Sequence, residues 1–369
     1  MLRFAAGFLL LSLLSLTAAD VPPVALKAKD AGVLQLFDGE TAFGWATTGK
    51  AKLTAESGIL ALSGESGEVV AVPTCGFLFF ELSFEYKAVR TAEVRIDELA
   101  TMGLKEGKFT LKPSGVWKQV FVRIDAKSMS ISGAAEDFTA EGALGPVPAD
   151  RKARLSRIRF STDAADGGTL MLRNVLLKPV DAVSLFDGKT LGGWKVFPDR
   201  KSVWSVTKEG FLTVKDGPGD LQTVEKYGDF LFQTEAYSNG DKLNSGVFFR
   251  CIEGQYQNGY EAQIHNGFKD GDRTKPSDFG TGAIYRRVAA RKVVADDRQW
   301  LTLTVLAQGK RLRTWVDGYP TVDWLDERKE DENPRKGART APGHLSIQGH
   351  DPTTDLNFRN LRIRAYPAE

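Results

Sequence analysis

The sequence contains the same pattern twice. Leu36-Phe37-Asp38-Gly39-Glu40-Thr41, followed closely by Gly44-Trp45, recurs as Leu185-Phe186-Asp187-Gly188-Lys189-Thr190 with Gly193-Trp194. Further matches follow in the same order. Residues 58–62 (Gly-Ile-Leu-Ala-Leu) parallel 210–214 (Gly-Phe-Leu-Thr-Val), and 77–83 parallel 230–236. The Trp-led segment 117–122 parallels 300–305, and 172–177 parallels 358–363. Ordered self-similarity over about 150 residues is the mark of a duplicated domain. It predicts two tandem modules, 31–179 and 181–369, joined near Lys178-Pro179-Val180-Asp181.

Within each copy the apolar residues alternate over short runs that end at Gly, Asp or Asn, and a 3.6-residue period is scarce. The 37 Gly, 22 Phe and 7 Trp favour strands and tight turns. The expectation is an all-β chain, each module a sandwich of two antiparallel sheets. Lys and Arg number 49 against 47 Asp and Glu, so no global field draws the protein to nucleic acid. Cys75 and Cys251 are too few for a disulfide framework or a Cys-rich metal site. They fall in different modules and are expected as unpaired thiols.

Residues 1–19 (MLRFAAGFLLLSLLSLTAA) place one Arg ahead of an apolar run that ends in small residues. This is the pattern of a secretory signal peptide cut after Ala19, the run being short for a membrane span; an uncleaved anchor is the competing reading. The mature protein is expected to be secreted or periplasmic, with no membrane association once the signal is cut.

The two copies are unequal. All three histidines, His265, His344 and His350, lie in the second. So do two polar insertions, 266–283 and 325–342, the latter containing the run Asp326-Glu327-Arg328-Lys329-Glu330-Asp331-Glu332. That run is expected to be a solvated loop, although loops beside a sheet can wall a binding site. The first copy reads as a scaffold.

Alternation assigns the faces of three strands in the second copy. Val247 and Phe249 share one face, with Phe248 and Arg250 opposite. Tyr260, Ala262 and Ile264 form an apolar set, leaving Glu261, Gln263 and His265 in a polar row. Leu345 and Ile347 face inward, leaving Ser346, Gln348 and His350 outward. Amides and an arginine suit a hydroxyl-rich ligand because amides both donate and accept, and a guanidinium offers a fork of donors. Trp194, Tyr285 and Trp324 are candidates to stack on a sugar ring. An ordinary solvated sheet face is the competing reading. Glu261 and His265, four apart on a strand, would be about 13 Å apart, so a metal would need ligands from separate strands. No cofactor is expected. Calcium is left open, although Lys269-Asp270-Gly271-Asp272 lacks the ligand spacing of a calcium loop.

Several segments of the second copy together resemble the 3-keto-disaccharide hydrolase family. They are 185–194 (Leu-Phe-Asp-Gly-Lys-Thr-Leu-Gly-Gly-Trp), 244–250 (Asn-Ser-Gly-Val-Phe-Phe-Arg), 260–265 (Tyr-Glu-Ala-Gln-Ile-His), 282–285, 315–318 and 343–350. The first copy matches only at its opening and its framework strands. The resemblance implies a concanavalin A-like jelly-roll sandwich in each module, an exported protein, and cleavage of glycosides whose C3 hydroxyl has been oxidised to a ketone. Such a ketone acidifies the C2 hydrogen, so the bond at C1 can break by proton abstraction and elimination, followed by hydration. One base, donors for the enolate oxygen and one acid are then required. On that chemistry Glu261 is the first candidate base and His265 the alternative. Arg250 and Gln263 would hold the ketone oxygen. Gln348 and His350 would bind hydroxyls, with His350 able to protonate the leaving group. The expected partner is a neutral sugar or glycoside. A carbohydrate-binding or adhesion module without chemistry is the rival, and a structural protein packed through its sheet faces a third possibility.

Overall fold

The computed structural model describes residues 26–97, 104–125, 129–142 and 155–366; the expected signal peptide at 1–19 lies outside them. Among the described residues there are four large antiparallel sheets and no α-helix. Two sheets take their strands from residues 34–179 and two from 183–366. In the second pair, an eight-stranded sheet runs Val203–Val206, Leu212–Lys215, Asp355–Tyr366, Asp229–Ser238, Trp300–Gln308, Arg311–Val316 and Tyr319–Leu325, with Val183–Ser184 beside Asp355–Tyr366. Its five-stranded companion runs Trp194–Val196, Gly219–Tyr227, Gly343–Gly349, Ser245–Cys251 and Tyr260–Ile264. The first pair repeats this order. Phe80–Ala88 lies between Leu170–Pro179 and Ser114–Ile124, as Asp229–Ser238 lies between Asp355–Tyr366 and Trp300–Gln308. Each unit is a jelly-roll sandwich, and alternate residues fill its interior: Leu60, Phe84, Val94 and Phe160 in one, Phe232, Val247, Phe249 and Phe358 in the other. Each such side chain contributes about 1.5–3 kcal/mol on burial, which makes the strand alternation decisive.

The repeated opening motif is structural in both copies. Asp38 Oδ1 accepts the N–H groups of Glu40 (2.8 Å) and Thr41 (2.6 Å), and Asp187 Oδ1 accepts those of Lys189 (2.8 Å) and Thr190 (2.7 Å). The turn delivers an indole to the core, where Trp45 Nε1 donates to Leu36 O and Trp194 Nε1 to Leu185 O, both at 2.6 Å. Trp194 is therefore not a stacking platform for a sugar. It is 7% exposed and packed in the second sandwich, since a large apolar ring with one satisfied donor is most stable there. Trp324 also packs against that core, on the eight-stranded sheet.

The outer face of the eight-stranded sheet is not solvated but covered by the first module. Leu231, Leu306, Trp315 and Tyr366 join the first module's apolar cluster. Around them lie polar ties. Gln233 Nε2 donates to Gly32 O (3.0 Å), and Gln308 Oε1 accepts from Gly76 N (3.1 Å). Arg313, wholly buried, donates to Cys75 Sγ (3.0 Å) and stands 3.8 Å from Asp323, which also accepts from Arg311 (2.5 Å) and Thr74 (2.5 Å). Gly44 has φ +80°, and a Cβ there would collide with the Arg313 guanidinium; at the equivalent Gly193 a Cβ would meet nothing within 4 Å. Cys75 and Cys251 are both buried and unpaired.

Removing one partner of a buried charge pair leaves the other uncompensated, at a typical cost of 3–5 kcal/mol, whereas exposed pairs contribute at most about 1 kcal/mol. Asp323→Ala is therefore expected to lower the urea midpoint by an amount equivalent to about 3 kcal/mol. Glu65→Ala, which breaks the exposed Lys50–Glu65 pair, should change it little. Equal midpoints for the two variants would contradict the buried-charge account.

Candidate active site

The five-stranded sheet turns its second face away from the core, and cross-strand register arranges that face in rows. Gln222 lies opposite Ser346, Ser346 opposite Phe248, and Phe248 opposite Glu261. In the next row Asp220 lies opposite Gln348, and Gly246 opposite Gln263. Four side-chain atoms on this face, Asp220 Oδ2, Gln222 Nε2, Ser346 Oγ and Gln348 Oε1, are buried without a hydrogen-bond partner. Each such group costs about 1–3 kcal/mol when left unpaired, so a concentration of them marks a face arranged for something other than stability.

Glu261 stands on the edge strand, Tyr260–Ile264, and leans toward its neighbour. A Cβ on Gly246 would lie 2.9 Å from Glu261 Oε1 and 3.0 Å from its Cγ, so the absent side chain at Gly246 is what lets the carboxyl lie over the neighbouring strand. Burial pushes its pKa up to about 8; the Asp278 and Asp220 carboxyls push the same way, against Arg335 and Arg286. Asp220, wholly buried, is pushed up to about 6 by burial, moderated by Gln257, whose Nε2 donates to its Oδ1 at 3.3 Å, by the Ser346 hydroxyl and by the Arg200 charge.

Three loops wall the face. In the first, Asp278 and Phe279 adopt left-handed φ values of 44° and 67°, and Phe279 meets the Tyr285 ring edge-on at 5.2 Å. Tyr285 N donates to Glu261 O (2.9 Å), which fixes a half-buried aromatic beside the carboxylate strand. In the second, Tyr256 packs on Phe197 at 5.3 Å, under the Arg200 guanidinium at 3.8 Å. The third is the polar insertion 325–342. Its Asp326 is not solvated as expected but wholly buried, accepting from Tyr260 Oη (2.7 Å) and Arg328 Nε (2.8 Å). This anchorage holds out Arg335, which lies over the Phe248 ring (5.7 Å) and donates to Gln257 O (2.9 Å).

The sequence-derived candidates divide. Glu261, Gln348 and Tyr285 are brought to one face. Arg250 is not on it. A register shift between Phe248 and Cys251 and a φ of 52° at Arg250 break the alternation and turn the side chain inward. There its Nη2 donates to Asp229 Oδ1 (2.7 Å), its Nε to Gly228 O (2.9 Å), and its Nη1 to Gly309 O (2.8 Å) and Arg339 O (2.7 Å). Turned into the interior with all three guanidinium nitrogens bonded to protein acceptors, it is held off the ligand face. Gln263 faces the right way, but its amide nitrogen is held by Asp278 Oδ2 (3.0 Å) and Asp278 O (3.2 Å), so it braces the loop. His265 Nδ1 accepts from Gly267 N (3.3 Å), directing that lone pair at the backbone. His350, just past the end of Gly343–Gly349, is exposed, and its Nδ1 pairs with Asp351 Oδ2 at 2.7 Å. His344 is buried against Thr223 O (2.8 Å).

Asp220, Gln222 and Arg335 were missed. The alternation in Gly219-Asp220-Leu221-Gln222-Thr223 was a usable signal for the first two, since Leu221 enters the core. Arg335 had none, being placed by a loop. Asp270 and Asp272, the acids considered for calcium, each stand 3.6 Å from Lys275 Nζ. Among the described residues, no three His, Cys, Asp or Glu side chains cluster as a metal site. The corresponding face of the first module has Glu93, Arg95 and Lys108, with Arg95 2.9 Å and Lys108 2.9 Å from Glu93, and Arg159 paired with Asp97. Its charges neutralise one another.

Comparison with known proteins is consistent with this asymmetry. Residues 181–364 match the family described as 3-keto-alpha-glucoside-1,2-lyase-like domains. No curated protein matches the chain. Among solved structures, a protein of Parabacteroides distasonis ATCC 8503 provisionally named a glycosyl hydrolase is 23% identical (TM-score 0.41), the match covering 50% of this chain and 93% of that one. A second from the same organism is 22% identical (TM-score 0.36), covering 47% and 98%. The carbohydrate binding module CBM66 from Bacillus subtilis is 18% identical (TM-score 0.34), covering 47% and 96%. The second module of this chain belongs to the 3-keto-alpha-glucoside-1,2-lyase-like (3-keto-disaccharide hydrolase) family.

Proposed function

We propose that the chain comprises a scaffold module, 31–179, and a catalytic module, 181–369, and that the second cleaves 3-keto-glycosides by C2 proton abstraction, elimination and hydration. The observation that carries this reading is the buried Glu261 carboxyl, seated over Gly246 and facing unpartnered amide and hydroxyl atoms. A neutral sugar offers hydroxyls to those atoms, and Tyr285 offers a ring to stack on. Its position alone made Glu261 the candidate base. With a pKa of about 8 it carries a proton at neutral pH, which suits donation to the leaving oxygen at C1. In place of the inward-turned Arg250, Arg335 is the cation positioned to meet the enolate oxygen. Gln348 Oε1 accepts a sugar hydroxyl, and exposed His350 is a hydroxyl ligand at the end of its strand. The 1–19 segment sends the protein through the inner membrane to the periplasm or medium. No helix among the described residues is long and apolar enough to cross a membrane.

The wild type is expected to release the aglycone from methyl and 4-nitrophenyl 3-keto-glucosides but not from the unoxidised glucosides. Retention on a glycan array with no turnover of either keto-glycoside would instead favour the binding-module reading. Glu261→Gln should cut cleavage of the methyl 3-keto-glucoside by roughly 100-fold or more. As an acid, Glu261 must hold its proton, so wild-type kcat/KM should fall as pH rises through about 8, and this limb should be absent in Glu261→Gln.

Stability provides a separate check. The Glu261 pKa is raised on folding from about 4.5 to about 8, so its neutral form stabilises the fold fully below about 4.5. That contribution is lost as pH rises through about 8, because the unfolded chain ionises first. The Tm of Glu261→Gln relative to wild type should therefore increase between pH 5 and pH 8.5, measured by thermal unfolding. A pH-independent difference would contradict the raised pKa. Export is tested by mass spectrometry of the protein secreted by its native host, with Asp20 expected as the mature N-terminus.

A further inference from the structure

The reaction needs a base as well as an acid, and His265 directs its Nδ1 lone pair at Gly267 N. We propose that Asp220 is the base that removes the C2 proton, acting across one sugar ring from Glu261. This assignment rests on the 3-keto-glycoside reading above, and it begins from register. The strands Gly219–Tyr227 and Ser245–Cys251 both pair with Gly343–Gly349, so Asp220 and Gly246 flank Gln348 from opposite sides. Two strand spacings separate them, about 10 Å between backbones. The Glu261 carboxyl reaches over Gly246 toward that gap. The two acids therefore stand on one face of the sheet to either side of Gln348, and a pyranose needs partners for its C2 hydrogen and its C1 oxygen at two such separate positions.

The surroundings give Asp220 the basic role. Gln257 Nε2 donates to Asp220 Oδ1 (3.3 Å) and is held by Tyr256 Oη (3.0 Å), so a donor favours the carboxylate form. Asp220 Oδ2 is buried with no hydrogen bond of ordinary length, and the Ser346 hydroxyl is the other side-chain donor that favours its ionised form. Gln257 has a φ of 49°, and its carbonyl is tied to Arg335, which links the Asp220 support to the wall above Glu261. Of the two carboxyls, Asp220 has the lower pKa, about 6 against about 8, so a single proton shared between them resides on Glu261.

The steps balance. Asp220 takes the C2 proton, and the electrons of the C–H bond form the enolate with the C3 oxygen. The ketone re-forms, the C1–C2 double bond forms, and the C1–O bond breaks as Glu261 protonates the leaving oxygen. Water then adds at C1, losing a proton to the Glu261 carboxylate, while Asp220 returns its proton to C2. Both acids end as they began, and the net change is hydrolysis.

Proton abstraction can be separated from bond cleavage with 3-keto-1,5-anhydroglucitol, which has no leaving group at C1. In D2O the wild type should catalyse deuterium entry at C2, followed by NMR. Asp220→Asn is expected to lose this exchange, and cleavage of both methyl and 4-nitrophenyl 3-keto-glucosides, by about 100-fold or more. Glu261→Gln should keep exchange within about 10-fold and lose cleavage mainly on the methyl glycoside. Asp220→Glu, checked for folding alongside Asn by circular dichroism, should restore part of the exchange. Near-wild-type exchange in Asp220→Asn, or loss of exchange in Glu261→Gln instead, would overturn the assignment. A wild type that neither exchanges nor cleaves would overturn the 3-keto-glycoside reading and Asp220's role with it.

Discussion

The second sandwich is held together at one buried cation. Arg250 leaves the site sheet, enters the interior and reaches the carboxylate of Asp229, at the start of a central strand of the opposite sheet. Its remaining nitrogens take the carbonyls of Gly228, Gly309 and Arg339. One guanidinium therefore joins both sheets, a hairpin of the eight-stranded sheet and the far end of the insertion that holds Arg335 over the site. A buried charge needs such complete coordination, because taking it out of water costs several kcal/mol that only well-formed partners offset. The bulge that turns Arg250 inward also removes it from the ligand face, so one local event sets both the clamp and the composition of the site.

The two modules show what the same scaffold does with and without such a site. In the first, the face equivalent to the candidate active site has Glu93, Arg95, Lys108, Asp97 and Arg159 in mutual ion pairs. In the second, that face has two carboxyls with raised pKa values and four unpartnered polar atoms. The first module also reaches the site loop. Asp38, in its opening turn, pairs with Arg291 at 2.8 Å, and the adjacent Ala290 N donates to Phe279 O at 2.9 Å. Phe279 packs on Tyr285, so the first module braces the aromatic wall beside Glu261.

Much of this was legible in the chain. The duplicated motifs gave the two sandwiches, and alternation placed Glu261 and Gln348 correctly because each strand buries one side. The same rule misplaced Arg250, because a bulge changes parity and leaves no mark in a single sequence. Trp194 was misread because a Gly-Trp pair suits both an exposed platform and a core anchor. The run 326–332 is exposed over Glu327 and Lys329–Glu332 as its composition suggests, but nothing local reveals that Tyr260 and Arg328 converge on Asp326 and bury it.

The sequence by itself determined the fold class, the duplication and which half carries the family motifs, since these depend on periodicity, order and residue type along the chain. Tertiary structure alone decided which polar residues meet. Cross-strand register set Asp220 beside Gln348, and the missing side chain at Gly246 admitted the Glu261 carboxyl. Loop closure then buried both acids, and burial is what raised their pKa values. The physical reason is that alternation is a property of one strand, whereas register, desolvation and the field of neighbouring charges arise only between strands brought together.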